Sequence, residues 1–345
     1  MTAVPVPTRL EIDVTSVAPD GVHKVVADVF VPSPRRASAD AQVLCCLPGG
    51  GMSRQYFDLD VTGLDVTGLD VDLAMGTYSM ARHFAQQGFV VVTLDHPGVG
   101  DSDRPDDGYS LTPQCVADVN AFAIDHILGR LRDGSLRDDV AAMPRLSSIG
   151  VGHSAGAGLT VYQQARHRTH RAIALLGYGG AGLATHLNDR EKELAHRPDA
   201  VVREIASLVR ERFGEPLPMQ RRGSSEFLVG APMPEAVHAA LLACRTPLLA
   251  LVGLSSMIPG ATAPVLAQIT VPVFVAHGSR DIAGSLHAVP GILPESNDIT
   301  LFVLDDSGHN HNVAPTRKRL WDRLGRWARG LPSVESDEHR EGRNG

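Results

Sequence analysis

The run SIGVGHSAGAG, residues 148–158, places Ser154 between His153 and Ala155, with glycines at 152, 156 and 158. The residues leading into it, LSSIGVG (146–152), form a short apolar run. Those that follow, AGAGLTVYQQARHR (155–168), carry helical spacing. A serine at a strand-to-helix junction, with glycine two places to either side, satisfies G-x-S-x-G in the setting that motif requires. The reason is steric. The serine occupies a strained turn, the glycines let neighbouring backbone pass close by, and Oγ is left projecting above the sheet. The plainer reading is a small polar filler in a core, and the flanking segments decide between the two.

Those segments alternate in type. Residues 8–17 and 22–33 alternate polar and apolar around the turn signal APDG, which predicts an N-terminal hairpin. AQVLCCL (41–47), GFVVVTLD (88–95), RAIALLGYGG (171–180), VPVFVAHG (271–278) and DITLFVLDD (298–306) are apolar runs of the kind found in strands covered on both faces. Helical patterns lie at 79–87, 111–133 and 314–330. Such alternation predicts an α/β fold, a mostly parallel central sheet with helices on both faces. Ligands are then expected beyond the C-terminal ends of the strands. Residues 183–265 break the pattern. A charged helical stretch (189–213) and a Pro- and Met-rich apolar stretch (227–264) read as a helical cap insertion. The core domain is then 8–182 with 266–330, and the charged tail 331–345 reads as disordered.

Composition narrows the function. The 345 residues, 43% hydrophobic, suffice for a sizeable core. The net charge of −7 and the lack of any basic block argue against nucleic acid or an anionic membrane as partner. The N-terminus lacks the pattern of a secretory signal, and no apolar run has the length of a spanning helix. Cys45, Cys46, Cys115 and Cys244 fit no zinc spacing and read as reduced packing residues of a cytoplasmic protein. Cys45 and Cys46, adjacent in a strand, would point to opposite faces. The duplicated unit VTGLDVTGLD (61–70) has too few copies for a solenoid and reads as an acidic loop insertion. Asp60, Asp65 and Asp70 lack the spacing of an EF-hand.

A serine hydroxyl needs a base, usually histidine, oriented by a carboxylate. In chain order serine, acid, histidine, two strand-end loops supply them: HGSRD carries Asp281 and SGHNHN carries His309. His311 is the alternative to His309, and Asp306 the lesser alternative to Asp281. A metal pair at His309 and His311 lacks a third ligand. His153 reads as a packing or hydrogen-bonding neighbour, whereas His96 reads equally as pocket lining or loop brace. GYGGAG (177–182) matches G-x-G-x-x-G, yet no second strand follows to carry the acid of a dinucleotide site.

With LPGGGMS, DHPGVGDSD, GHSAG, HGSRD and SGHNHN together, the chain resembles the α/β-hydrolase family over about residues 20–330. The resemblance implies Ser154 as nucleophile, Asp281 as acid and His309 as base, with no cofactor and no metal. It implies an oxyanion hole from the N–H of Ala155 with Gly50, or Gly51 as second choice. Many members have His-Gly at the end of the third strand where this chain has Pro48-Gly49. The implied activity is hydrolysis of a carboxylic ester, thioester or lactone. The Leu, Met and Pro content of the insertion, Met257 included, suggests an apolar pocket wall and so a small apolar substrate, with His96 the other candidate for the lining. Carbon–carbon bond hydrolysis, acyl transfer and a non-catalytic ligand-binding protein are the alternatives. Oligomeric state is not readable.

Overall fold

The APDG turn joins β1 (Thr8–Asp13) to β2 (Lys24–Phe30), which pair antiparallel. The computed structural model describes residues 6–33, 40–59, 61, 78–219 and 233–332. Asp60, Asp65 and Asp70, nearly all of the duplicated unit, and the tail from 333 onward lie outside the described residues.

The other strands are β3 (Gln42–Leu47), β4 (Val90–Leu94), β5 (Ser147–His153), β6 (Ala172–Leu176), β7 (Val273–Gly278) and β8 (Ile299–Leu304). They form one sheet in the order β1-β2-β4-β3-β5-β6-β7-β8. β2 meets β4 antiparallel, and every pairing from β4 to β8 is parallel. The α-helices among the described residues are α1 (Met80–Gln86), α2 (Pro113–Asp133), α3 (Ala155–His167), α4 (Asp189–Glu193), α5 (Pro198–Phe213), α6 (Glu235–Ala243), α7 (Ala250–Met257), α8 (Ala263–Leu266) and α9 (Arg317–Gly330).

β3 shows why both faces of the sheet are covered. Leu44 and Cys46 join a core with Phe84 of α1 and Trp321 and Leu324 of α9. Val43, Cys45 and Leu47 join the opposite core with Val116, Ile124 and Leu128 of α2. The two neighbouring cysteines therefore face opposite ways, as the two-residue period of a strand requires. β8 departs from the expectation of full coverage. It is an edge strand, and Val303 remains 44% exposed. Its apolar run still packs on both faces, Ile299 and Leu301 against one core and Phe302 and Leu304 against the other, but most of it is only partly covered.

Local signals set the helix ends. Thr112 Oγ1 accepts the Cys115 N–H at 3.2 Å and Pro113 opens α2, while Gly134, at φ 79°, closes it in the left-handed conformation. Asn188 and Glu191 make a reciprocal capping box on α4. Between β6 and β7 the described residues form helices α4 to α8 and no strand of the sheet. Leu194, Val201, Leu208, Leu251 and Leu254 form a small core of their own there. No helix among the described residues is long and apolar enough to cross a membrane.

Candidate active site

β5 delivers Ser154 to the C-terminal end of the sheet, and α3 begins at the next residue. Ser154 has φ 53° and ψ −122°, a strained conformation for any residue with a Cβ. Its N–H donates to Leu176 O of β6 at 2.8 Å, which anchors the turn. Two glycines make the turn sterically possible. A Cβ on Gly152 would lie 2.3 Å from Ala157 Cα, and one on Gly156 would lie 2.3 Å from the carbonyl oxygens of Leu47 and Pro48.

β7 ends at Gly278, and the turn after it carries Asp281. The loop after β8 carries His309. The structure brings all three side chains together. His309 Nδ1–H donates to Asp281 Oδ1 at 2.7 Å, which leaves Nε2 to accept the Ser154 hydroxyl proton, also at 2.7 Å. Asp281 is 2% exposed. Burial alone would raise the proton affinity of its carboxyl. Hydrogen bonds and charge from His309 and His311 outweigh that and hold it far below the usual carboxylate range. Asp306 is elsewhere, exposed and 3.7 Å from the Arg280 guanidinium.

His311 does not reach Ser154. Its Nε2 lies 2.9 Å from Asp281 Oδ2, the oxygen that His309 leaves free. His153 Nε2–H donates to the His309 carbonyl at 2.8 Å, and its ring stacks on Tyr56 with centroids 4.7 Å apart. Burial, then the neighbouring imidazoles, push the proton affinity of His153 well below that of free histidine. This ring braces the loop that carries His309.

The Pro48–Gly51 loop lies across Ser154 from His309. Gly50 is beside Ala155: a Cβ on Gly50 would sit 3.7 Å from the Ala155 Cβ. Ala155 is the first residue of α3, so its N–H has no carbonyl within the helix. Gly51 takes positive φ, 76°, and its carbonyl accepts the Thr246 N–H. It lines a separate small cavity behind the loop.

His96 corrects an expectation. It does not line the cavity that holds Ser154. It is buried behind the loop, where Nε2–H donates to Pro48 O at 3.1 Å and Nδ1 accepts from Asn120 Nδ2 at 2.9 Å. Both ring nitrogens are spent on bracing, and burial lowers its proton affinity. Met257 does line the Ser154 cavity.

Ser154 opens onto two chambers. The larger, about 200 Å³, lies between the Gly49–Gly50 backbone and the helical insertion. Leu248, Leu254, Met257, Phe213 and Ile282 wall it. The smaller, about 40 Å³, is walled by residues 177–180, 182 and 183 with Ser256 and Ala283. Apart from the imidazoles at the serine, no charged side chain lines either chamber among the described residues. Sequence reasoning passed over the 177–183 wall. Its signal was the position of GYGGAG, at the C-terminal end of a parallel strand, where ligands gather.

Comparison with known proteins accords with this architecture. A family model described as "Alpha/beta hydrolase family" matches residues 43–318. A search of curated proteins gives no match. Solved structures that resemble the chain include the esterase EaEST from Exiguobacterium antarcticum. It is 14% identical with TM-score 0.58, over 89% of this chain and 96% of that one. The proline iminopeptidase of Mycobacterium smegmatis is 16% identical with TM-score 0.56, over 93% and 98%. The thioesterase domain from the curacin biosynthetic pathway is 15% identical with TM-score 0.56, over 94% and 100%. At such identities these likenesses speak for the fold, while the family match spans most of the chain. Strand order, elbow and family match together lead to one conclusion: this chain belongs to the alpha/beta hydrolase family.

Proposed function

We propose that the chain is a serine hydrolase that cleaves a neutral, apolar carboxylic ester, thioester or lactone through an acyl-enzyme. The observation that carries this reading is the continuous hydrogen-bonded line from Ser154 Oγ through His309 to Asp281, opening into uncharged chambers. Ser154 Oγ attacks the carbonyl carbon while His309 Nε2 takes its proton. Asp281 holds the imidazole in the Nδ1–H tautomer and stabilises the charged ring. The N–H groups of Ala155 and Gly50, with Gly51 as second choice, are assigned to the oxyanion. Loss of one such donor typically costs about 3 kcal/mol of barrier. His309 returns its proton to the leaving oxygen or sulfur. It then takes one from water, whose oxygen attacks the acyl carbon. The acyl–Oγ bond breaks as His309 gives that proton to Ser154 Oγ, releasing the acid and restoring the serine. The scheme uses no cofactor.

The chambers favour an uncharged substrate with one bulky apolar part and one small part. A substrate with a charged amine would call for a carboxylate beside the scissile bond, and neither chamber has one among its described lining residues. The insertion 183–265 serves as the cap that supplies the apolar wall. The test is a panel of p-nitrophenyl esters of increasing acyl length, with fluorophosphonate labelling. Ester turnover with rapid labelling confined to Ser154 is expected, and Ser154→Ala should lose both. Turnover that survives in Ser154→Ala, or labelling elsewhere, overturns the reading.

A further inference from the structure

Asp281 is held by more than its partner in the triad. Oδ1 accepts from His309 Nδ1–H at 2.7 Å and from the Ala283 N–H at 3.0 Å. Oδ2 lies 2.9 Å from His311 Nε2 and accepts the Gly278 N–H at 3.2 Å. The Gly278 N–H is also 3.1 Å from His311 Nε2. A ring nitrogen carries either a proton or a lone pair, so it cannot both donate to the carboxylate and accept from Gly278. With Nε2 as acceptor, its lone pair would face a carboxylate oxygen at 2.9 Å, and an Nδ1–H would be left in a buried position without a partner. With Nε2–H as donor, both contacts to the carboxylate are favourable and the Gly278 N–H goes to Oδ2. The geometry selects the second arrangement.

We propose that His311 is a positioning residue: its Nε2–H holds the second oxygen of Asp281 and thereby sets how strongly that carboxylate draws on His309. This rests on the proposed function and extends it. A carboxylate that spends one oxygen on His311 has less charge to offer the His309 imidazolium. Other groups surround His311. His309 and His153 lie with ring centroids 6.5 and 5.6 Å away, and His277 of β7 and the Tyr56 ring are close by. Gly177 of the β6 loop approaches it without a side chain; a Cβ there would be 3.4 Å from its Cε1. Asp281 is the anion that His311 touches.

The test is the pH dependence of kcat/KM with a p-nitrophenyl ester. His311→Leu removes the donor and should move the acid limb to higher pH, by ~0.5 unit or more, because Asp281 then acts on His309 alone. His311→Gln places an amide N–H near the position of Nε2 and should return the limb towards its original place. A packing role for His311 would lower the unfolding temperature without moving the limb. A folded His311→Leu variant whose limb stays put, or moves down, overturns the proposal. His309→Gln runs in parallel. If it keeps turnover, the parent reading fails; if it is inactive while the His311→Leu limb is unmoved, only the role of His311 fails. Should His311→Leu not fold, imidazole nitrogen NMR of the unsubstituted protein decides. A protonated, slowly exchanging Nε2 on His311 that becomes labile in Asp281→Asn is expected. An Nδ1–H tautomer overturns the proposal.

Discussion

Ser154 stores backbone strain that costs stability and that the proposed nucleophile role would account for. At φ 53° and ψ −122° the backbone suits glycine far better than any residue with a Cβ. Ser154→Gly should therefore unfold at a higher temperature than Ser154→Ala, by about 1 kcal/mol, while both lose ester turnover. Equal stabilities would mean that the turn is not strained. Asp281 sits at the other end of the proton path. Its carboxyl, held far below the ordinary range, stays ionised across the acid range in which enzymes are assayed. Replacement by Asn keeps the shape but favours the wrong tautomer of His309. A fall in kcat of about 10⁴-fold is expected, measured at saturating ester.

At the scale of elements, the junction of β5 and α3 is built on close approach. Gly156→Ala would press a methyl against the end of β3 at 2.3 Å from two carbonyl oxygens, backbone that cannot swing aside. A loss of about 2 kcal/mol or more in denaturant unfolding, or failure to fold, is expected. Between α3 and β6, His170 is buried. Its Nδ1–H donates to Ser148 Oγ, while Nε2 has no partner. Burial lowers its pKa to about 3 from the ordinary 6.5. The folded protein thus binds fewer protons here than the unfolded chain. This contribution to stability is complete above pH 6.5 and lost as pH falls from there toward about 3. Unfolding free energies between pH 7.5 and 4 should decline less steeply in His170→Met. His83, His96, His153 and His277, also lowered by burial, contribute to the slope that remains, with carboxylates held low by their partners such as Asp101 and Asp118. The strands, the elbow and the meeting of Ser154 with Asp281 and His309 were legible because hydrophobic runs end where loops carry polar chemistry, and parallel strands bring those ends to one rim. Which of the two readings of His96 holds, and the second hold on Asp281 by His311, were not legible. Each is set by which nitrogen meets which oxygen across the fold, and local spacing carries no trace of that. The edge position of β8 was hidden too, since an apolar run reads the same at the edge of a sheet as in its middle.

The whole molecule is tied together by one guanidinium. Arg54, 3% exposed, bonds Asp28 of β2 at 2.7 Å, Asp95 after β4, and Asp101 at 2.9 Å. Its backbone N–H also donates to Asp95. It joins the antiparallel end of the sheet to the loop that runs past Ser154. Arg54→Met would leave Asp95, wholly buried, as an uncompensated charge, and a loss of about 3 kcal/mol or more in chemical unfolding is expected. A loss under 1 kcal/mol would show the network to be ornamental. The back-to-back cysteines of β3 have a different consequence. Cys45 and Cys46 are sealed into separate hydrophobic layers, and burial pushes both thiols away from the reactive thiolate. An alkylating reagent can consume either one only when the sheet itself comes apart. Their labelling rate, resolved residue by residue, is thus a built-in clock for global opening that needs no engineered reporter in the chain.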